Sequence, residues 1–219
     1  LYVAKSKDHE FLHAHREIFI KCYESLLNRD HPDFNQRDGL MGFDSSRTEG
    51  GGEITTYDSL DHSLAQSRKN SYLGGKCWAS YLALEYIFKL LGEDAQSSAA
   101  HESALLCANT LSKAFNPELG FIPAVLENNN KSAIIPVVEA LVYPHQMGLM
   151  KYLDIEGEFS EYLTILKKHV CNILKPDICL YEDGGWKLSS TADNSWMSKN
   201  CLNQFVVHEI LGISYGGEE

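Results

Sequence analysis

"SYLGGKCWASYLALEYIFKLLG", Ser71 to Gly92, is the stretch on which the fold turns. Leu73, Cys77, Tyr81, Leu84, Phe88 and Leu91 recur with a 3.6-residue period, which predicts a helix. Trp78, Leu82 and Ile87 widen the apolar stripe, as in a helix buried on two sides. The helical pattern extends upstream to about Ser59. Gly74-Gly75 interrupts it, and glycine costs about 1 kcal/mol against alanine inside a helix. Close packing or a break is therefore expected there. Gly92 fits the position just past the helix end.

Working outward, residues 8 to 28 read as a helix through Phe11, Ile18, Cys22 and Leu26, with Asp8 as its N-cap. Residues 94 to 115 form the next, with Leu105, Ala108 and Leu111 inward. Further helices are expected over 136 to 150, with Pro136 in the first turn, and over 157 to 174. The last runs from about Asp193 to Leu211, capped by Asp193 or Ser190. No stretch reads convincingly as a strand. Residues 29–56 and 176–192 are long, acidic, aromatic connections, and long loops in compact domains are often functional. The expectation is an all-α chain of about six helices, a hairpin array or a toroid, with its long loops gathered at one end. No self-similarity at 34 to 45 residues supports a helical repeat module.

The net charge of −11 argues against nucleic acid, because phosphate binding needs a basic face. No run of 18 apolar residues is present, so no membrane span is expected. Cys22, Cys77, Cys107, Cys171, Cys179 and Cys201 lie singly, without a C-x-x-C pair. They read as free buried thiols in a reducing, cytoplasmic setting. The first residue is Leu1, which suggests a fragment.

The chemistry concentrates in two places. "EITTYDSLDHSL", Glu53 to Leu64, packs acids, a tyrosine and a histidine ahead of the long helix. Its plain reading is helix capping, by Thr56 or Asp58, with surplus acid near the helix dipole. Its functional reading is a carboxyl whose proton affinity is raised by neighbouring charge and burial, Asp61 among the neighbours. "CLYEDGGWKLSSTADNSWMSK", Cys179 to Lys199, joins acids and hydroxyls to two tryptophans. Such a set can hold a sugar ring by stacking and hydrogen bonds; the plain reading is a turn and a capped helix with Trp196 in the core. His9 and His13 share a helix face and His15 follows, but no third ligand is apparent, so they read as exposed and no metal is expected. There is no phosphate-binding glycine loop.

"GLMGFDSSR", "EITTYDSLDHSLAQSRKNSYLGGKCWASYLALEYIFKL", "FNPELGFIPAVLE", "SAIIPVVEALVYP" and "CLYEDGGWKLSSTADNSWMSK" together resemble the C-terminal part of glycoside hydrolase family 52, the β-xylosidases. The resemblance runs from about Gly39 to Leu211. The T-Y-D element is also similar to that of the related family 116 β-glucosidases.

The resemblance implies that residues 1–219 are the C-terminal portion of one (α/α)6 barrel, with the upstream part of the barrel and a β-sandwich domain outside this chain. It implies retaining hydrolysis by two carboxylates, without metal or organic cofactor. Asp58 takes the general acid/base role. The nucleophile, a glutamate, is expected upstream of this chain. Tyr57, Trp186, Asp193 and Trp196 are the candidate substrate contacts. The implied substrate is a β-xyloside or xylo-oligosaccharide cleaved exo-wise, with glucose and arabinose left open. Half a toroid exposes apolar surface, so association with the missing part or a second copy is expected.

Overall fold

The computed structural model describes residues 1–43, 61–64, 67–193 and 195–214. Among them the chain is all-α. Eight α-helices are present: α1 Tyr2–Ser6, α2 His9–Ala14, α3 Arg16–Asp30, α4 Ser71–Leu91, α5 Asp94–Lys113, α6 Val142–Met147, α7 Ser160–Ile173 and α8 Met197–Phe205. Short 3-10 turns cover Phe34–Gln36, His62–Leu64, Ile135–Leu141 and Met150–Leu153, and a π-turn, Val206–Ile210, extends α8. The β-pairing among the described residues is limited to isolated bridges.

Helix α4 is the axis of the core. It packs against α5, α3 and the 135–141 segment. Cys77, Trp78, Tyr81, Leu82 and Phe88 are buried along it, as a two-sided apolar helix requires. Trp78 meets Phe159 and Tyr162 at ring distances of 5.5 and 5.3 Å, separations at which aromatic pairs attract. The Gly74-Gly75 pair leaves α4 unbroken. A Cβ on Gly74 would stand 3.0 Å from Leu111 Cδ2 and from Leu40 Cδ2, and one on Gly75 would stand 2.9 Å from the Val137 carbonyl oxygen. Of the two outcomes expected from the sequence, close packing is the one realised.

The helix boundaries correct the sequence reading in places. Residues 8 to 28 are two helices, parted at His15, whose Nδ1 bonds to the Phe11 carbonyl at 2.8 Å. Asp8 does cap the first of them, accepting from Phe11 N at 2.8 Å. Helix α4 starts at Ser71, not near Ser59, because Asn70 Oδ1 accepts from Leu73 N at 2.8 Å and ends the turn-like approach. Gly92 closes it with φ 75°. The 136–150 region divides between a 3-10 segment, Ile135–Leu141, and the short helix α6, and the last helix begins at Met197 after Trp196, without a side-chain cap from Asp193 or Ser190. Thr56 and Asp58, the caps suggested for the upstream extension, lie outside the described residues.

The cysteines divide evenly. Cys77, Cys107 and Cys179 are buried, and burial pushes the Cys77 and Cys179 thiols up to about 12. Cys22, Cys171 and Cys201 are exposed, against the expectation of buried thiols throughout. All six are free. No helix among the described residues is long and apolar enough to cross a membrane. An open apolar groove of about 620 Å³ runs between α3 and α4, lined by Ile18, Cys22, Leu26, Ala83, Leu84 and Ile87 among others.

Candidate active site

The approach to α4 is built from short backbone pairings. Ser71 N donates to Ala124 O at 2.9 Å and Leu126 N to Lys69 O at 2.9 Å, which ties residues 69–71 to 124–126. Ala124 N donates in turn to Ser132 O at 2.8 Å. Ile135 N donates to Leu188 O and Ser190 N to Ala133 O, both at 2.9 Å. Four chain segments from three separate regions of the sequence thereby form one layer. Leu64, Tyr72, Ala124, Val125, Ile134 and Leu188 pack together within it.

His169 on α7 fastens that layer from behind. It is fully buried; its Nδ1 accepts from Ile122 N at 3.0 Å and its Nε2 donates to Ile134 O at 2.9 Å. Burial holds its pKa down to about 4, so the ring is neutral and each nitrogen has one fixed role.

Asp61 closes the layer's edge. Its carboxylate has no exposure. Oδ1 accepts from Ser63 Oγ at 2.5 Å and Ser63 N at 2.9 Å; Oδ2 accepts from Ser189 Oγ at 2.5 Å and Thr191 Oγ1 at 2.6 Å. Burial pushes its pKa up, but the hydrogen bonds from Ser189, Ser63 and Thr191 outweigh that and hold it below the usual carboxylate range. Asp61 is therefore a fixed anion that pins the 188–191 loop to the chain just past "TTYD". It joins the downstream ends of the two long connections.

A second buried carboxylate, Glu139, lies at 2% exposure in the 135–141 segment. Lys76 Nζ donates to its Oε1 at 2.5 Å, and Lys199 Nζ donates to both oxygens at 2.8 Å. Lys199 also donates to Tyr72 Oη at 2.8 Å, and Lys76 to Tyr143 Oη at 3.0 Å. The ammonium groups stand over aromatic faces as well, Lys76 4.7 Å from the Tyr143 ring centre and Lys199 5.0 Å from that of Tyr72. Burial pulls the pKa of each lysine down, and the bonds to Glu139 overcome it, leaving both raised. The cluster joins α4, the 135–141 segment and the start of α8.

The sequence-predicted site residues fall out as follows. Tyr57 and Asp58 lie outside the described residues. Trp186 is 8% exposed and lies just ahead of the Asp61-anchored loop. Trp196 is 40% exposed at the N-cap of α8, which corrects the plain reading of it as core. The two tryptophans are linked through Asn200, whose backbone N donates to Trp196 O at 2.8 Å and whose Nδ2 donates to Trp186 O at 3.3 Å. Asp193 is exposed and no described contact brings it to this set. The sequence reading missed Glu139, Lys76, Lys199 and Tyr72. A signal was present: Glu139 is the one charged residue in "AIIPVVEALV", and a lone charge in an apolar run demands a buried partner. Among the described residues no group of three or more His, Cys, Asp and Glu is placed to hold a metal ion. His9 and His13 are exposed on α2.

The comparisons with known proteins bear on this geometry. No protein-family model matches the chain. The chain is 47% identical over 212 residues to a protein named Beta-xylosidase from Geobacillus stearothermophilus; the match covers 97% of this chain and 30% of that protein. A second protein of the same name and organism is 33% identical over 124 residues, covering 57% of this chain and 20% of that protein. The chain thus spans less than a third of the length of the curated relatives it matches.

Proposed function

We propose that this chain is part of a retaining glycoside hydrolase of the β-xylosidase type, in which it supplies the general acid/base. The observation that carries the reading is the 47% identity to a protein named Beta-xylosidase over 97% of the chain. The residues 1–219 then belong to one (α/α)6 barrel. The nucleophile and the rest of that barrel come from the part of the intact protein outside this chain. The substrate is a xylo-oligosaccharide or β-xyloside, trimmed from its end with release of xylose. The reaction needs no metal or organic cofactor. Six unpaired thiols fit a cytoplasmic place of action.

In this mechanism Asp58 begins protonated and donates to the glycosidic oxygen as the leaving group departs. The nucleophilic glutamate attacks the anomeric carbon, which requires the two carboxyl groups to stand about 5–5.5 Å apart. Asp58, now ionised, takes a proton from water, and that water releases the sugar. Asp61 supports the assignment indirectly. It follows Asp58 by three residues, its anion is permanently held, and it fastens the loop bearing Trp186 to the same stretch of chain. Tyr57, Trp186, Asp193 and Trp196 complete the reading as substrate contacts, with the tryptophans offering stacking faces.

The test uses the intact protein. Asp58→Ala slows xylosides with poor leaving groups far more than activated aryl xylosides, and azide restores turnover of the activated substrate. Equal loss on both, without rescue, assigns the proton transfer elsewhere.

A further inference from the structure

We propose that Glu139 is a positioning residue that sets the tryptophan edge of the site by acting through Lys199. The inference rests on the reading above only in calling that edge a substrate surface. Lys199 is the third residue of α8, and Trp196 is the residue from which the helix starts. Both Glu139 oxygens take a bond from Lys199 Nζ at 2.8 Å, so the ammonium is held at a forked site, not a single point. Glu139 itself is placed by Lys76 of α4, the helix at the centre of the core. The chain of contact runs from α4 through Lys76 and Glu139 to Lys199 and the first turn of α8.

The next residue carries the effect outward. Asn200 takes the Trp196 carbonyl with its backbone N–H and the Trp186 carbonyl with its side-chain amide. Fixing Lys199 therefore fixes the residue on which both tryptophan backbones converge. Trp196, at 40% exposure, sits at the start of this held turn. Glu139 is 2% exposed, and both its oxygens accept from lysine. Its influence on substrate is through geometry.

The experiment follows Trp196 directly, in the intact protein labelled with fluorotryptophan, its resonance assigned by Trp196→Phe. Lys199→Met and Glu139→Gln are expected to shift the Trp196 resonance. Lys199→Arg, which keeps a cation able to bond both Glu139 oxygens, is expected to return it towards its original position. Lys76→Met disturbs the same carboxylate from the α4 side and shifts the resonance less than Lys199→Met does, because Lys199 still holds α8. With an aryl xyloside, Lys199→Met lowers kcat/KM by roughly tenfold to a hundredfold, chiefly through KM. An unmoved resonance in Lys199→Met overturns the proposal, and so does an equal shift in Lys76→Met. Shifts as expected with KM unchanged, in Lys199→Met and in Trp196→Phe alike, keep the positioning and overturn the substrate role of Trp196.

Discussion

Asp61 and Glu139 are both withdrawn from water, and their surroundings differ in kind. Asp61 is met by three hydroxyls and one backbone N–H, all neutral donors. Glu139 is met by two ammonium groups. The first arrangement spreads one charge over small dipoles from nearby loops. The second balances charge with charge and binds three separate elements together. Neutral donors left without an anion can turn to other acceptors. Two half-buried ammonium groups that lose the carboxylate between them also repel each other, so the two corners should answer mutation differently.

Removing Glu139 is the most severe break. Glu139→Ala removes the carboxylate that the half-buried Lys76 and Lys199 share and leaves two ammonium groups facing each other, and the expected loss is about 3–5 kcal/mol. The midpoint of urea unfolding at pH 7 measures it. Asp61→Asn is milder. It keeps the shape and one acceptor, and about 2 kcal/mol is expected from the donors it leaves poorly matched. If Asp61→Asn proves the more damaging of the two, the contrast drawn between hydroxyl and ammonium surroundings is wrong.

Acid sharpens the comparison. Asp61 has a folded pKa below its unfolded value near 3.9. Its contribution is complete above that value and disappears only as pH falls through the lower folded one. Asp61 therefore gives no slope between pH 5 and 7. His169 does. Its folded pKa of about 4 lies under the ordinary 6.5, so the unfolded chain binds the extra proton first. Its contribution is complete above 6.5 and falls as pH drops towards 4, by about 2 kcal/mol between pH 7 and 5. Unfolding midpoints at the two pH values read this loss. His169→Gln flattens that limb, while Asp61→Asn retains it; a limb unchanged in His169→Gln would need another source.

The helical character was legible because the apolar period of α4 is long and its caps are chemically explicit. Asp8 and Gly92 announced themselves by residue type and position. The α4 start was misplaced because apolar spacing continues upstream of Asn70, and spacing alone does not say which residue turns its side chain back to the backbone. The hydroxyls that hold Asp61 were visible as "LSST", but their partner was not, since the pairing spans well over a hundred residues. Glu139 and Lys76 stood in separate apolar runs. Each signalled a charge in need of a partner, and neither named the other.

Gly75 gives the lysine–glutamate corner its dimensions. With no side chain there, the Val137 carbonyl reaches a point 2.9 Å from where a Cβ would sit, so helix and neighbouring turn meet main chain to main chain. Lys76 and Glu139 are one and two residues along from that contact. Atoms common to every residue type thus serve as a mechanical stop, and the ion pair beside it inherits its span from a gauge block that side-chain variation elsewhere does not wear.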